Sequence, residues 1–257
     1  MKLLHLSSET GLRGGEHQLL LLARQDKPAI SEIFGVPKKS GLYDRLPTDA
    51  AKVPVDCRGF YDLASVLRLR KLLGSGDIDL VHAHSNRAHK TAIALRPGNR
   101  QPLVVSRRNA FRCRGGLIYR AVDRFITVSG AGFLALRDGG VEANRISVIH
   151  DAVDEPAMSA ARPERLGLAD DSMYFLCVAA FTAEKDHATL LKAWDRIAQS
   201  NPKAHLLLAG DGPGRAAMEE QARSLPRVRF LGWREDVIPL IKGADIVTLA
   251  SLNEGLG

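Results

Sequence analysis

His82 and His84, in the run His82-Ala83-His84-Ser85, close an apolar stretch of the chain. Alternation along a strand puts both side chains on one face, at the strand end where parallel α/β sheets bind their ligands. Metal ligation is one chemistry this spacing permits, with His89 close by, but no carboxylate or cysteine completes a ligand set. A single catalytic or acceptor-orienting histidine at His84 is the better reading, with His82 structural. The next apolar run ends in Ser106-Arg107-Arg108-Asn109. Guanidinium groups at a strand end suit two-point recognition of a carboxylate or phosphate, although either arginine could be plain surface charge. Near the start, Gly11-Leu12-Arg13-Gly14-Gly15-Glu16-His17 joins a strand to a helix. Gly14 and Gly15 allow a ligand close to the backbone, and the helix N-terminus adds positive potential. The spacing is not G-x-G-x-x-G.

The second half repeats the theme with different residues. Phe181-Thr182-Ala183-Glu184-Lys185-Asp186-His187 links a strand to a helix and places the Lys185 ammonium where it could meet a phosphate. Gly210-Asp211-Gly212-Pro213-Gly214 follows the next strand, as a turn that could cradle a base or ribose and equally as ordinary loop chemistry. Gly232-Trp233-Arg234-Glu235-Asp236 occupies the third strand end, and Ser251-Leu252-Asn253-Glu254-Gly255-Leu256-Gly257 the fourth.

These loops need a scaffold of alternating strands and helices. Strands are expected at 2–7, 30–36, 79–84, 102–106, 124–129 and 145–150, with helices such as 15–25 and 62–73 between them. The second helix starts at an Asp62 cap, has apolar residues at helical spacing, and stops at Gly74-Ser75-Gly76. After residues 154–172, which read as a linker, strands are expected at 174–180, 204–209, 228–231 and 245–250. Helices are expected at 187–200, 214–225 and 235–243. Near-continuous apolar strands alternating with helices predict parallel sheets covered on both faces. The fold class is α/β, with two Rossmann-like domains, 1–153 and 173–257, facing a cleft. A strand and Gly-rich turn normally open onto a helix, so the second domain is expected to be incomplete.

The 257 residues are 45% hydrophobic and 25% charged, an ordinary globular composition. The apolar runs are far too short to span a bilayer. Three scattered cysteines suit a reducing cytosol. The net charge of +7 is uneven: residues 1–153 carry 24 Lys and Arg against 14 Asp and Glu. Arg96, Arg100, Arg107, Arg108, Arg112, Arg114 and Arg120 crowd one stretch, as a solvated surface or as a site for an anionic partner. Without interleaved aromatics or a groove-reading motif, nucleic acid is not the expected partner.

The ordered set of loops resembles retaining glycosyltransferases of the GT-B fold, specifically glycosyltransferase family 4. The matching pieces are Gly14-Gly15-Glu16, Val128-Ser129, Gly140-Val141, the run from Ile146 to Asp154, Glu184-Lys185, and Leu190-Leu191-Lys192-Ala193-Trp194. They continue with Leu208-Ala209-Gly210-Asp211-Gly212-Pro213, Phe230-Leu231-Gly232, Asp236-Val237, Ala244-Asp245 and the last seven residues. The resemblance implies transfer of a sugar from a nucleotide-diphospho-sugar with retention, the second domain holding the donor and the first the acceptor. Glu254 matches the first of two glutamates eight positions apart, which contacts the transferred sugar; the second would fall at position 262. Lys185 would neutralise the diphosphate and Gly255 and Leu256 would offer it backbone amides, with Gly14, Gly15, Asp211, Gly212 and Arg234 completing the donor side. Many members carry an arginine where this chain has Ala180, which throws the diphosphate charge onto Lys185. Many also carry a histidine after the strand that ends here in Arg107, and His84 with Arg107 or Arg108 are its local substitutes.

The expected activity is therefore a hexosyl or other glycosyl transfer to a glycan or lipid-linked acceptor of the lipopolysaccharide or envelope type. It would take place in the cytoplasm with peripheral contact at an anionic membrane surface, and without metal or cofactor. The alternatives are a non-catalytic nucleotide-sugar-binding fragment or a GT-B fold sugar-nucleotide epimerase.

Overall fold

In the computed structural model, which describes residues 1–12, 14–111, 115–153, 166–169 and 171–256, each strand is followed by a helix or turn that returns the chain to the start of the next strand. Parallel pairing requires such crossovers. The chain divides into two units, Met1–Asp154 with Gly255–Gly257, and Glu155–Glu254.

The first unit runs β1 (Lys2–Leu6), α1 (Gly14–Ala23), β2 (Ser31–Val36), α2 (Gly41–Arg45), β3 (Ala51–Pro54), α3 (Leu63–Leu73), β4 (Leu80–Ala83), α4 (Asn86–Leu95), β5 (Leu103–Arg107), α5 (Leu117–Arg120), β6 (Arg124–Thr127), α6 (Gly130–Asp138) and β7 (Ile146–Val148). Its seven strands lie in the order β3-β2-β1-β4-β5-β6-β7, all parallel. The order reverses direction between β1 and β4, the point at which loops diverge and leave a crevice at the strand ends.

Period-two alternation sorts the core into two layers. Ile33 packs with Leu4, Val81 and Phe125 on one face, while Phe34 and Val36 pack with Leu19, Leu20 and Leu42 on the other. Each fully buried side chain of this size contributes roughly 1.5–3 kcal/mol. Polar residues at the strand ends start the helices. Ser85 accepts from the Ala88 amide at 3.3 Å, Ser129 from Gly132 at 3.2 Å, and Asp62 from Ser65 at 3.1 Å.

The second unit runs β8 (Met173–Val178), α7 (His187–Ser200), β9 (Ala204–Ala209), α8 (Arg215–Ala222), β10 (Val228–Gly232), α9 (Val237–Gly243) and β11 (Ile246–Val247). Four parallel strands lie in the order β10-β9-β8-β11, with the reversal between β8 and β11. Leu206 and Leu208 face Leu191 and Trp194 of α7, and Leu207 faces Tyr174, Leu176 and Leu240. The buried Trp194 donates its indole N–H to the Pro226 carbonyl at 2.9 Å, so no polar atom is stranded there. Among the described residues two cysteines are buried, one per unit: Cys57 and Cys177.

The expected strands and helices are present, with differences. α2 and β3 were not anticipated, and β6, β7 and β11 are shorter than the 124–129, 145–150 and 245–250 expected. The 154–172 segment falls largely outside the described residues, as do Arg112, Cys113 and Arg114 of the arginine-rich stretch and Gly257.

Candidate functional site

The loops leaving β8 and β11 straddle the reversal in the second sheet, and this junction holds a charge pair. Lys185 Nζ lies 2.5 Å from Glu254 Oε1. The first loop is a short 3-10 turn, Ala183–Lys185, ending at Asp186, whose left-handed backbone (φ 44°) reverses the chain into α7. The Asp186 side chain then caps that helix at the Thr189 amide, 3.2 Å away. The second loop is tied to the first by the Leu252 amide, which donates to the Glu184 carbonyl at 2.8 Å. Burial raises the Glu254 pKa, but hydrogen bonds from Lys185 and Ser251 and the Lys185 charge outweigh it and hold the carboxyl below its ordinary value. Side-chain exposures of 28% and 29% leave both groups reachable by a ligand.

The Gly210-Asp211-Gly212 turn supports this junction from the neighbouring strand. Gly210 (φ +147°) and Gly212 (φ +155°) take conformations that only glycine adopts readily. A Cβ on Gly212 would lie 2.8 Å from the Phe181 carbonyl oxygen, and one on Gly210 only 2.0 Å from that of Ala179. Both glycines are there because two loops pass backbone to backbone. Phe181 donates its amide to Asp211 O at 3.0 Å and accepts from the Gly214 amide at 2.9 Å. Arg234, at the end of β10, forms a two-point pair with Asp236 at 2.7 and 2.6 Å.

In the first unit the reversal between β1 and β4 gathers histidines. His5 of β1 pairs in register with His82 of β4. His5 Nδ1 is 3.0 Å from His84 Nε2, and its Nε2 is 3.1 Å from Glu32 Oε1. Glu32 in turn pairs with Lys27 at 2.7 Å. His82 Nε2 meets Ser106 Oγ at 2.8 Å, and the His82 and His84 rings lie 3.9 Å apart. Burial, with the His5 and Arg108 charges, pushes the His82 pKa down to about 3 and that of His84 well below the ordinary value, which His82 also lowers. Both rings are neutral at physiological pH. His84 Nδ1 is buried without a hydrogen-bond partner.

One ligand atom from each of His5, His82 and His84 lies within 4.8 Å of the others, the only such grouping found among the described residues. The His5–His84 contact already engages two of these nitrogens with each other, and the Arg108 charge opposes a cation. His89, by contrast, bonds the Ile118 carbonyl at 3.2 Å and stacks edge-on to Tyr119, a packing role.

The two arginines separate. Arg107 donates to Tyr119 Oη and the Phe111 carbonyl, both at 2.6 Å, bracing the chain after β5. Arg108 bonds Asp151 at 3.1 Å through Nε and keeps a buried Nη1 without a hydrogen-bond partner, beside Gly15. A Cβ on Gly15 would sit 3.9 Å from that Nη1, and one on Gly14 would meet nothing within 4 Å. Open space thus lies over the start of α1, next to Arg108. Arg96 is committed to the Ala121 and Gln101 carbonyls and to Asp123. Sequence reasoning missed His5 and Glu32; the signal was strand order, which a single strand does not carry.

Two parallel sheets of this order, each with polar side chains at its topological reversal, define a GT-B type architecture. Residues 4–155 match the family described as Glycosyltransferase Family 4, and residues 172–257 that described as Glycosyl transferases group 1. The chain belongs to glycosyltransferase family 4. It is 27% identical over 237 residues to the UDP-Gal:alpha-D-GlcNAc-diphosphoundecaprenol alpha-1,3-galactosyltransferase of Escherichia coli, covering 79% of this chain and 60% of that one. It is 30% identical over 115 residues to the lipopolysaccharide core biosynthesis glycosyltransferase LpsE of Rhizobium meliloti, covering 44% and 33%. The solved structure of Anabaena Alr3699/HepE in complex with UDP and glucose superposes with a TM-score of 0.78 at 20% identity, over 98% of this chain and 74% of that one, a likeness of fold. The chain spans between 33% and 64% of the length of the curated relatives it matches.

Proposed function

We propose that this chain is part of a retaining glycosyltransferase that moves a sugar from a nucleotide-diphospho-sugar to a glycan or lipid-linked acceptor of the cell envelope. The observation that carries this reading is the Lys185–Glu254 pair at the reversal of the second sheet. A departing nucleoside diphosphate needs a cation and N–H donors at the leaving oxygens more than it needs an acid. Lys185 supplies the cation, and Gly255 and Leu256 supply the amides. With Ala180 where an arginine would share the load, Lys185 takes most of the diphosphate charge. Glu254, ionised across the physiological range, is released from Lys185 when phosphate arrives and turns to the hydroxyls of the transferred sugar. Asp211 and Gly212 line the nucleoside side, and Arg234 completes the donor contacts of the second unit.

His84 and Arg108 serve the acceptor, with Arg107 holding the segment that carries Arg108. The relatives named for a diphosphoundecaprenol-linked substrate and for lipopolysaccharide core biosynthesis support an envelope acceptor. The reaction proceeds in the cytoplasm, with peripheral contact at the membrane and without a metal. Among the described residues no helix is long and apolar enough to cross a bilayer.

Calorimetric titration with a panel of nucleoside diphosphates tests the reading. One base should bind preferentially, and Lys185→Ala should weaken that binding by about 10–100-fold, the range of a charged hydrogen bond worth ~1.5–3 kcal/mol. A well-folded protein that binds none of the panel would refute it. Product anomeric configuration, read by proton NMR, tests retention.

A further inference from the structure

The connection from β3 into α3, together with the outward face of α3, carries a cluster of apolar side chains turned to solvent. Tyr61 is 97% exposed, Leu63 69%, Leu67 65% and Phe60 39%. On α3, Val66, Leu69 and Leu73 face the core, so Leu63 and Leu67, one turn apart, stand on the opposite side. Lys71 extends the same row by another turn, and Arg68, which donates one guanidinium N–H to the Pro54 carbonyl at 2.7 Å, flanks it; both are exposed. The cations of α4 border the aromatic tip. Lys90 packs its stem against Gly59, where a Cβ would lie 3.8 Å from Lys90 Cβ and Cδ, and Arg87 is exposed one turn earlier. Asp56 and Asp62 are the acids beside the tip, and both are engaged: Asp56 with the Arg58 guanidinium at 2.6 Å, Asp62 with the α3 cap and the Arg58 amide at 3.0 Å. Arg58, Arg68, Lys71, Arg87 and Lys90 thus face two carboxylates.

We propose that the Phe60–Tyr61 tip and the Leu63–Leu67 row, rimmed by Arg68, Lys71, Arg87 and Lys90, form a docking surface for an anionic phospholipid bilayer. Aromatic and leucine side chains beside long basic ones suit the headgroup boundary, where rings and aliphatic stems enter the apolar layer and cations remain at lipid phosphates. A protein partner fits less well, because lysine is depleted and the apolar centre larger in protein interfaces. The Phe60–Tyr61 tip follows the C-terminal end of β3, at the sheet end that also carries His84, and α3 carries the Leu63–Leu67 row back from it, so a lipid-borne acceptor would be presented at the tip. In this respect the proposal deepens the reading of a lipid-linked acceptor and rests on it. Charge density along the sequence pointed instead to residues 96–120, where Arg96, Arg107 and Arg108 prove to be bound to protein acceptors.

Co-sedimentation with vesicles, in the absence of any sugar nucleotide, tests the surface. The protein should pellet with phosphatidylcholine–phosphatidylglycerol vesicles, not with phosphatidylcholine alone, and added salt should release it. Tyr61→Ser with Leu67→Gln, and separately Lys71→Gln with Lys90→Gln, should each weaken binding by about tenfold or more, given two coupled anchoring terms. These positions are exposed, so circular dichroism and thermal midpoint should stay as in the parent. Leu117→Ser, an 81% exposed leucine elsewhere on the unit, should bind as the parent does. Equal binding to neutral and anionic vesicles, absence of binding, or indifference to both double variants would overturn the proposal. So would self-association in the ultracentrifuge that Tyr61→Ser abolishes, which would assign the face to a second copy of the chain. Lys185→Ala should leave vesicle binding unchanged, so failure of the donor reading and failure of this surface are separately visible.

Discussion

Glu32 sets the proton positions along a row of rings. In the neutral form of His5 the Glu32 carboxylate, held by Lys27, accepts from His5 Nε2–H, which leaves His5 Nδ1 as an acceptor for His84 Nε2–H. His84 Nδ1 is then the bare nitrogen of the row. In Glu32→Gln the amide oxygen stays with Lys27 and the NH2 turns to His5, so His5 Nε2 becomes an acceptor and both rings exchange tautomer. Nitrogen-15 NMR of labelled histidines should show the bare-nitrogen signal of His84 move from Nδ1 to Nε2; an unchanged pattern would refute the assignment. At the other junction, Glu254→Gln should retain nucleoside diphosphate binding while lowering transfer, since the carboxylate is assigned to the sugar and not to the phosphate; parallel titration and turnover assays distinguish these. The sequence showed Lys185 and Glu254 as separate members of two loops. That residues 69 apart meet at 2.5 Å depends on β11 lying beside β8, which no local pattern encodes.

At the scale of elements, legibility followed local chemistry. α3 and α7 could be read because Asp62 and Asp186 cap them and their apolar residues recur at helical spacing. β3 could not: it is a four-residue edge strand, only partly buried and ending in Pro54, so neither alternation nor a continuous apolar run marks it. Removing a cap that was legible should cost what caps cost. Asp62→Ala should destabilise by about 1 kcal/mol, seen as a fall in urea midpoint with unchanged slope. Gly212→Ala should cost more, about 1–3 kcal/mol of backbone strain, because the new Cβ meets both the nitrogen and the oxygen of Phe181. A Gly212→Ala protein as stable as the parent would show that the turn can move away from Phe181.

Over the whole molecule, the buried neutral histidines govern the response to acid. His82 and His84 titrate below the ordinary histidine value in the folded state, so the unfolded chain takes up protons first. Their stabilising contribution is complete above about pH 6.5 and declines as pH falls, for His82 down to about 3. The lowered carboxyls of Glu32 and Glu254 add a second stabilising contribution, present above about pH 4.3 and lost as pH falls through their folded values. Urea midpoints measured from neutral to acid pH should decline in two stages, and His82→Asn should flatten the first. A pH-independent midpoint down to about pH 5 would contradict the burial of the pair.

Burial also pushes the Cys57 thiol up to about 12 and the Cys177 thiol up to about 11. At pH 8 a group titrating near 12 is thiolate in only about one part in ten thousand, so neither sulfur reacts while its core stays closed. Among the described residues one such sulfur sits in each unit. A pulse of alkylating reagent followed by peptide mass mapping would therefore time the opening of the two cores independently, within a single unmodified chain. Nature has installed two clocks, and a donor nucleotide should slow the one at Cys177, ten residues from the start of α7, before it touches the one at Cys57.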